Sequence, residues 1–341
     1  MLKTNNIRFI EKCLQAATNK KQEITICLLM SLLSENESDN IELLQTDEIS
    51  YIHNSLRKFG FFTEYFYNEI TFINFMELTT PENRLIYNLL RQGHSELKKG
   101  LIPYFCNNNN IDCMGSSFYT IALCKNKYHS FKLLETQKIP VAHSWLFDEF
   151  GWIEPPPIGT LILLKPIYES LSKGIHESNI FVYTGDNKNI VQLNNIWKQP
   201  ILAQQFISGY EVEVPLLINN NDNYVILPPV GISIDGNQRV KDSIISQHIS
   251  KTENYGYYTA NDIPFSVEKL KEITYKIIRV IHFSDYARLD FRVDDDGNMY
   301  LIDISTTPYL TKESSFAHSF KQLGLEPELM HACVIGAHYW E

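Results

Sequence analysis

RLDFRVDDDGNMYLIDIS, residues 288–305, decides how the chain is read. Apolar and polar residues alternate on either side of an acidic turn, the period of two that sends successive side chains to opposite faces of a strand. Leu289, Phe291, Val293, Ile302 and Ile304 fall on one face; Arg288, Asp290, Arg292, Leu301, Asp303 and Ser305 fall on the other. A four-residue loop over 295–298 sets a register that pairs Asp290 with Asp303. Opposed β-carbons lie about 5 Å apart, where like charges destabilise a sheet unless a cation intervenes. A divalent metal would answer that need. An exposed hairpin would too, its acids facing solvent and its repulsion offset by Arg288 and Arg292. The rest of the chain has to choose.

With 341 residues, 44% hydrophobic and 21% charged, the chain has room for two or three globular domains. A formal charge of −10 and the lack of a Lys/Arg run argue against a nucleic-acid partner. The longest apolar stretch, ITICLLMSLL at 24–33, is too short for a membrane span, and MLKTNNIRFIEKC lacks the build of a signal peptide. A cytoplasmic protein with no membrane partner is expected. Cysteines 13, 27, 106, 113, 124 and 333 show no metal or disulfide framework and read as reduced, mostly buried thiols. The histidines form no ligand pair, and His331 and His338 read as packing residues of a C-terminal helix.

Along the chain, helical spacing at Ile7, Ile10, Leu14 and Ala17 precedes the strand ITICLLMSLL. A helix ending at Gly60, the strand FFTEYFY, the strand RLIYNLL, a short helix LIPYFCNNNN and the strand IDCMGS continue a βα alternation. That pattern implies a parallel sheet to about residue 115. One helix is expected over 120–138, then the strands PVAHSWLF and TLILLK, a polar loop, FVYT, the helix IVQLNNIWKQ and the strand ILAQQFI. EVEVPLLI, NYVILPPVGISI, a polar stretch from 235 to 261, the helix VEKLKEITYKIIRVIHF, the hairpin and a last helix near 325–339 follow.

Chemistry concentrates at three places. Lys165 ends a buried strand and is followed by Pro166, which points the ammonium into a loop or cleft. ESLSKG, 169–174, offers hydroxyls and backbone N–H groups to a phosphate, although an ordinary surface loop has the same composition. AQQFISGYEVEV bends at Ser208-Gly209, where backbone groups can meet an adenine edge and Glu211 can meet ribose hydroxyls; alone it is an ordinary turn.

In the order lysine strand, hinge with acid, two-acid hairpin, the chain resembles the ATP-grasp superfamily and, within it, the D-alanine:D-alanine ligase family. LLKPIYESLSKGI, QQFISGYE, ARLDF and LIDISTTPYLTKES carry the resemblance, with KNKYHSFKLLETQKIP and NLLRQGHSELKKGLIPYFCNNNNIDCMGSS upstream; together they run through most of 84–325. The resemblance implies an α/β (α+β), three-domain ATP-grasp fold: a substrate domain with a parallel sheet over 1–115, a small ATP-binding domain over 116–203 and a catalytic domain over 204–341. It implies ATP with its phosphates on Lys127, Lys165, Ser170 and Ser172, its adenine on the backbone of Gln205, Phe206 and Ile207, and its ribose on Glu211. It implies one or two Mg²⁺ ions, or Mn²⁺, on Asp290, Asp303 and Ser305. Arg288 and Ser314 fall to the reacting groups, Arg288 at developing negative charge and Ser314 near a substrate carboxylate.

The activity implied is ADP-forming ligation of a carboxylate to an amine through an acylphosphate, with small-molecule substrates, and a homodimer is common in the family. The departures concern the substrate. Asp303 and Ser305 stand where the family has glutamate and asparagine, and Tyr309 stands where it has glycine. The substrate-loop lysine aligns near His248, with Lys241 and Lys251 as displaced candidates, and SLLSENESDN is a poor match to the glycine-rich opening. An amino acid joined to another amino acid or small natural-product acid is therefore expected. D-alanyl-D-alanine synthesis is the alternative, and a nucleotide-binding protein without turnover is the alternative of another class.

Overall fold

The computed structural model describes residues 2–31, 43–80, 82–90, 97–170, 172–219, 221, 223–241, 243–246, 249 and 254–340. The poorly matching opening, except for Ser31, and His248 and Lys251 lie outside the described residues.

The first sheet is built from α1 (Leu2–Lys20), β1 (Thr25–Leu29), α2 (Thr46–Phe59), β2 (Phe62–Phe66), α3 (Glu69–Leu78), β3 (Arg84–Asn88), α4 (Leu101–Asn108) and β4 (Asp112–Cys113). Its strands run parallel in the order β2-β1-β3-β4, as a βα alternation requires. A capping box, with the Gln45 N–H donating to Glu48 Oε2 at 2.7 Å, starts α2, and Gly60 ends it. α3 went unanticipated because its residues are apolar nearly all round and show no helical period.

The single helix expected over 120–138 is two: α5 (Phe118–Lys125) and α6 (Lys127–Thr136). Asn126 breaks it. Its backbone is extended (φ −82°, ψ 91°), and its side chain accepts the His129 N–H at 3.1 Å, the competition with helical bonding that makes asparagine a cap.

A second sheet comprises β5 (Ser144–Asp148), β6 (Gly151–Trp152), β7 (Leu161–Pro166), β8 (Ile180–Val182) and β9 (Ile201–Gln205), antiparallel in the order β6-β5-β9-β7-β8, with α7 (Lys188–Trp197) against it. The third is ordered β13-β12-β10-β14-β15, from β10 (Tyr210–Ile218), β12 (Val230–Ile234), β13 (Tyr255–Thr259), β14 (Tyr286–Val293) and β15 (Met299–Ser305). β11 (Tyr224–Ile226) pairs with the end of β10. β13 lies inside the stretch read as polar loop. α8 (Val267–Ile281) and α6 cover one face of this sheet. α10 (Leu329–Tyr339) is the expected last helix; α9 (Ser315–Leu323) precedes it, and both pack into the core built on α1, β1 and β3.

The hairpin corrects its own reading. Its loop is 294–298, because Asp294 Oδ1 accepts the N–H groups of Asp296 and Asn298 (3.0 and 2.8 Å) and closes a five-residue turn. Pairing runs Val293 with Met299 to Phe291 with Leu301, then skips Ile302 in a bulge and resumes at Asp290 with Asp303. The bulge reverses two faces: Leu301 is fully buried in the core beside Phe291, and Ile302 turns toward the acids. The pairing of the aspartates survives because the extra loop residue and the bulge compensate.

Where α10 meets the start of β14, buried Asp285 accepts the Gly115 N–H at 2.6 Å and lies 3.0 Å from His338 Nδ1. Burial alone would lower the His338 pKa, but Asp285 outweighs it and the net direction is up. A raised histidine stabilises fully below its unfolded value of about 6.5 and stops doing so as pH rises through its folded value. Thermal stability should therefore fall across that window, and His338→Gln should remove the step in a melting-temperature series from pH 6 to 9.

Candidate active site

A cleft of about 600 Å³ lies between the second and third sheets. Lys127, Lys165, Ser170, Ser172, Gln205, Phe206, Ile207, Glu211, Arg288, Asp290, Asp303 and Ser314 all line it. Ser305 lines a smaller cavity of about 80 Å³, whose walls share Lys127, Ser170, Arg288, Asp303 and Tyr309 with the cleft.

Strand pairing sets the acids in a row. β10 lies beside β14, with Glu213 opposite Asp290 and Glu211 opposite Arg292, and β15 brings Asp303 to the other side of Asp290. Arg288 grips Asp290 with both arms of its fork, Nε to Oδ1 at 2.7 Å and Nη2 to Oδ2 at 2.8 Å, while Nη1 lies 3.1 Å from Glu213 Oε2. Burial pushes Glu213 up to about 7 against the pull of Arg288. Burial likewise raises Asp290. Asp303 goes the other way: burial raises it, but Lys127 and then Lys165 outweigh burial and hold it below the usual carboxylate range. Lys165, at the end of β7, is lowered to about 8 by burial, with Asp303 opposing. Its Nζ lies 3.5 Å from the carbonyl of Ile302, the bulge residue.

Among the described residues no three His, Cys, Asp or Glu side chains converge on one point to hold an ion unaided. Asp290 and Asp303 nevertheless stand opposite each other across the strand pair, and both line the cleft. Mg²⁺ takes one or two carboxylates and completes its shell with phosphate oxygens and water, so this donor set fits it.

The loop after Lys165 is tied down. Lys127 Nζ donates to the Glu169 carbonyl at 2.7 Å, Lys125 Nζ to Ser170 Oγ at 2.6 Å, Lys98 Nζ to Glu169 Oε2 at 3.2 Å and Gln199 Nε2 to Glu169 Oε1 at 2.9 Å. Gly174 (φ 78°) admits no side chain, since a Cβ would meet Trp197 at 2.4 Å. The break at Asn126 is what lets Lys125 and Lys127 face one loop.

At the hinge, Gly209 (φ 141°) passes so close to β14 that a Cβ would lie 2.1 Å from the Val293 carbonyl oxygen. The N–H groups of Gln205 and Phe206 already donate to His143 and Leu161 carbonyls at 2.7 and 2.9 Å. Glu211 pairs with Arg292 at 3.3 Å, and that guanidinium lies 5.0 Å over the Phe206 ring. Lys241 exchanges backbone hydrogen bonds with Gly209 and does not line the cleft. Ser314 caps α9: its Oγ accepts the Ala317 N–H at 3.2 Å and donates to the Thr311 carbonyl at 2.7 Å.

The profile of the family described as D-ala D-ala ligase C-terminus matches residues 162–335, from β7 through most of α10. The chain belongs to that family. Like its other members it is an ATP-grasp enzyme that forms carbon–nitrogen bonds. It is 27% identical over 249 residues to the D-alanine–D-alanine ligase of Mannheimia succiniciproducens, covering 70% of this chain and 75% of that one. It is 25% identical over 242 residues to D-alanine–D-alanine ligase B of Clostridium perfringens, covering 66% and 72%. The ATP-bound D-alanine–D-alanine ligase of Bacillus anthracis shares the fold with a TM-score of 0.69 at 16% identity, covering 92% of this chain and 97% of that one. The VanG D-Ala:D-Ser ligase of Enterococcus faecalis does so at 0.67 and 16%, covering 93% and 99%. ATP, generally with Mg²⁺, is this ligase family's requirement. No helix among the described residues is long and apolar enough to cross a membrane.

Sequence reasoning missed Glu213 and Glu169, which line this cleft, and Lys125, which lines the smaller cavity beside it. The alternation in EVEV puts Glu213 on the face of Glu211 and could have revealed it; the partners of Lys125 and Glu169 depend on tertiary contacts that carry no local signal.

Proposed function

We propose that the cleft joins the carboxylate of one small molecule to the amine of another at the expense of ATP, and that at least one of them is an amino acid. The observation carrying this reading is the Asp290–Asp303 pair, set in a cleft that also receives Lys127, Lys165 and Arg288. In it the substrate carboxylate attacks the γ-phosphorus, the bond to ADP breaks, and the amine nitrogen then displaces phosphate from the acylphosphate carbonyl. Lys127 and Lys165 hold the phosphates, with Ser170 and Ser172 over them. Glu211, held by Arg292, takes the ribose, and the hinge at Gln205–Ile207 offers the adenine edge Ile207 N–H and its carbonyls. Asp290 and Asp303, helped by the Ser305 hydroxyl, would hold one or two Mg²⁺ or Mn²⁺ ions, which supply neutralisation of phosphoryl charge.

Arg288 faces the oxyanion that forms as the amine attacks. Ser314 fixes the start of α9 toward a substrate carboxylate. The protein's contribution is alignment and charge, because phosphoryl transfer asks for little else. The chain is proposed to divide at 1–115, 116–203 and 204–341 and to act in the cytoplasm, where ATP is supplied; light scattering would test the homodimer.

The names of the curated relatives favour a second reading, in which both substrates are D-alanine. Purified protein given ATP, Mg²⁺ and either D-alanine or mixed amino-acid pools should release phosphate with a pool and yield a condensed product by mass. Turnover on D-alanine alone would narrow the first reading to the second. ATP binding without ADP formation under every pool would remove both.

A further inference from the structure

We propose that Glu213 is a positioning residue for Arg288, keeping its guanidinium aimed into the cleft when a divalent cation claims Asp290. The inference rests on the reading of Arg288 and Asp290 given above. Arg288 occupies both oxygens of Asp290, at 2.7 and 2.8 Å. A cation ligated by Asp290 at about 2 Å draws on the same two oxygens and competes with the guanidinium for their charge. Metal binding therefore weakens the two-armed grip, and Arg288 depends more on its remaining partner.

What stays is the third contact, Nη1 to Glu213 Oε2 at 3.1 Å. Glu213 cannot drift. It is 5% exposed on β10, whose pairing with β14 is unbroken from Tyr210–Val293 to Leu217–Tyr286. It is also an acid that the ATP chemistry does not otherwise use, and a buried carboxylate is costly unless it is paired. Without its charge, Asp290 is the acid left on this row to neutralise Arg288, so the cation competes with a tighter pair and the arginine loses its anchor.

The experiment compares Glu213→Gln, Glu213→Asp, Arg288→Lys and the Glu213→Gln/Arg288→Lys double variant. Glu213→Gln should weaken Mn²⁺ binding, followed by electron paramagnetic resonance with a non-hydrolysable ATP analogue, by about 10- to 100-fold and lower kcat by a similar factor. Affinity for the analogue should stay within about twofold, because no phosphate contact is removed. Glu213→Asp should recover part of both losses. The double variant should be no worse than Arg288→Lys alone, since residues that act through one another are not additive. Unchanged Mn²⁺ binding in Glu213→Gln, or losses that multiply in the double variant, would overturn the proposal. Unchanged turnover in Arg288→Lys would overturn the role of Arg288 itself, and this inference with it.

Discussion

Asp303→Asn is expected to lower turnover by about 10³-fold or more while the protein stays folded. The size follows from what one neutralised carboxylate removes: the charged ligand proposed for the cation and the counter-charge of two lysines, where loss of a single electrostatic partner already costs about 10²- to 10³-fold. Burial pushes the Asp303 carboxyl up, and Lys127 and Lys165 more than reverse it, so at neutral pH the group is an anion. Its side chain is 37% exposed, so asparagine fills the space without creating a buried void. A depressed carboxyl gives stability that is present above its unfolded pKa and fades as pH falls through the folded one; the variant should therefore lose less stability on acidification than the wild type. Phosphate release, Mn²⁺ stoichiometry and melting curves at pH 7 and pH 4 measure these effects. Full turnover in the variant would remove Asp303 from the chemistry.

The hairpin shows how far such a site can be read from sequence. Its polar face was legible because a strand's side chains alternate with a fixed period, whereas the opposition of Asp290 and Asp303, reached from a four-residue loop, holds only because the longer turn and the bulge offset each other. The exchange of Leu301 and Ile302 was not legible. It depends on Asp294 closing a longer turn and on a bulge that no local pattern announces. The same division runs through the rest of the chain. The parallel sheet, the strand ending at Lys165 and the amphipathic α8 announce themselves by period. The break at Asn126 is a side chain competing with its own helix, and α3 and β13 form where tertiary packing overrides weak local signals. Contacts distant in sequence, such as Lys98 and Lys125 on the loop at 169–170, belong to the assembled cleft alone.

Lys165→Met should separate activity from stability. Lys165 is 7% exposed, so its charge is held in the interior at a cost, and burial lowers its pKa to about 8. The unfolded chain keeps that proton to about 10.4, so between the two values the unfolded state binds more protons and wild-type stability gains with rising pH. Methionine fills much the same space without the charge. The variant should melt no lower than wild type at pH 7 and should lack the alkaline gain.

Turnover should nevertheless fall by about 10³-fold, since the cation proposed to hold the phosphates, fixed beside the Ile302 carbonyl, is lost from a site proposed to work by placed charge. Bound phosphates favour the protonated lysine, so wild-type affinity for ATP should weaken above about pH 8, with a proton taken up on binding. Calorimetry in buffers of different ionisation enthalpy would detect that proton, and Lys165→Met should not show it. A variant that melts lower and turns over normally would mean that Lys165 holds the strand end in place and leaves the phosphates to Lys127.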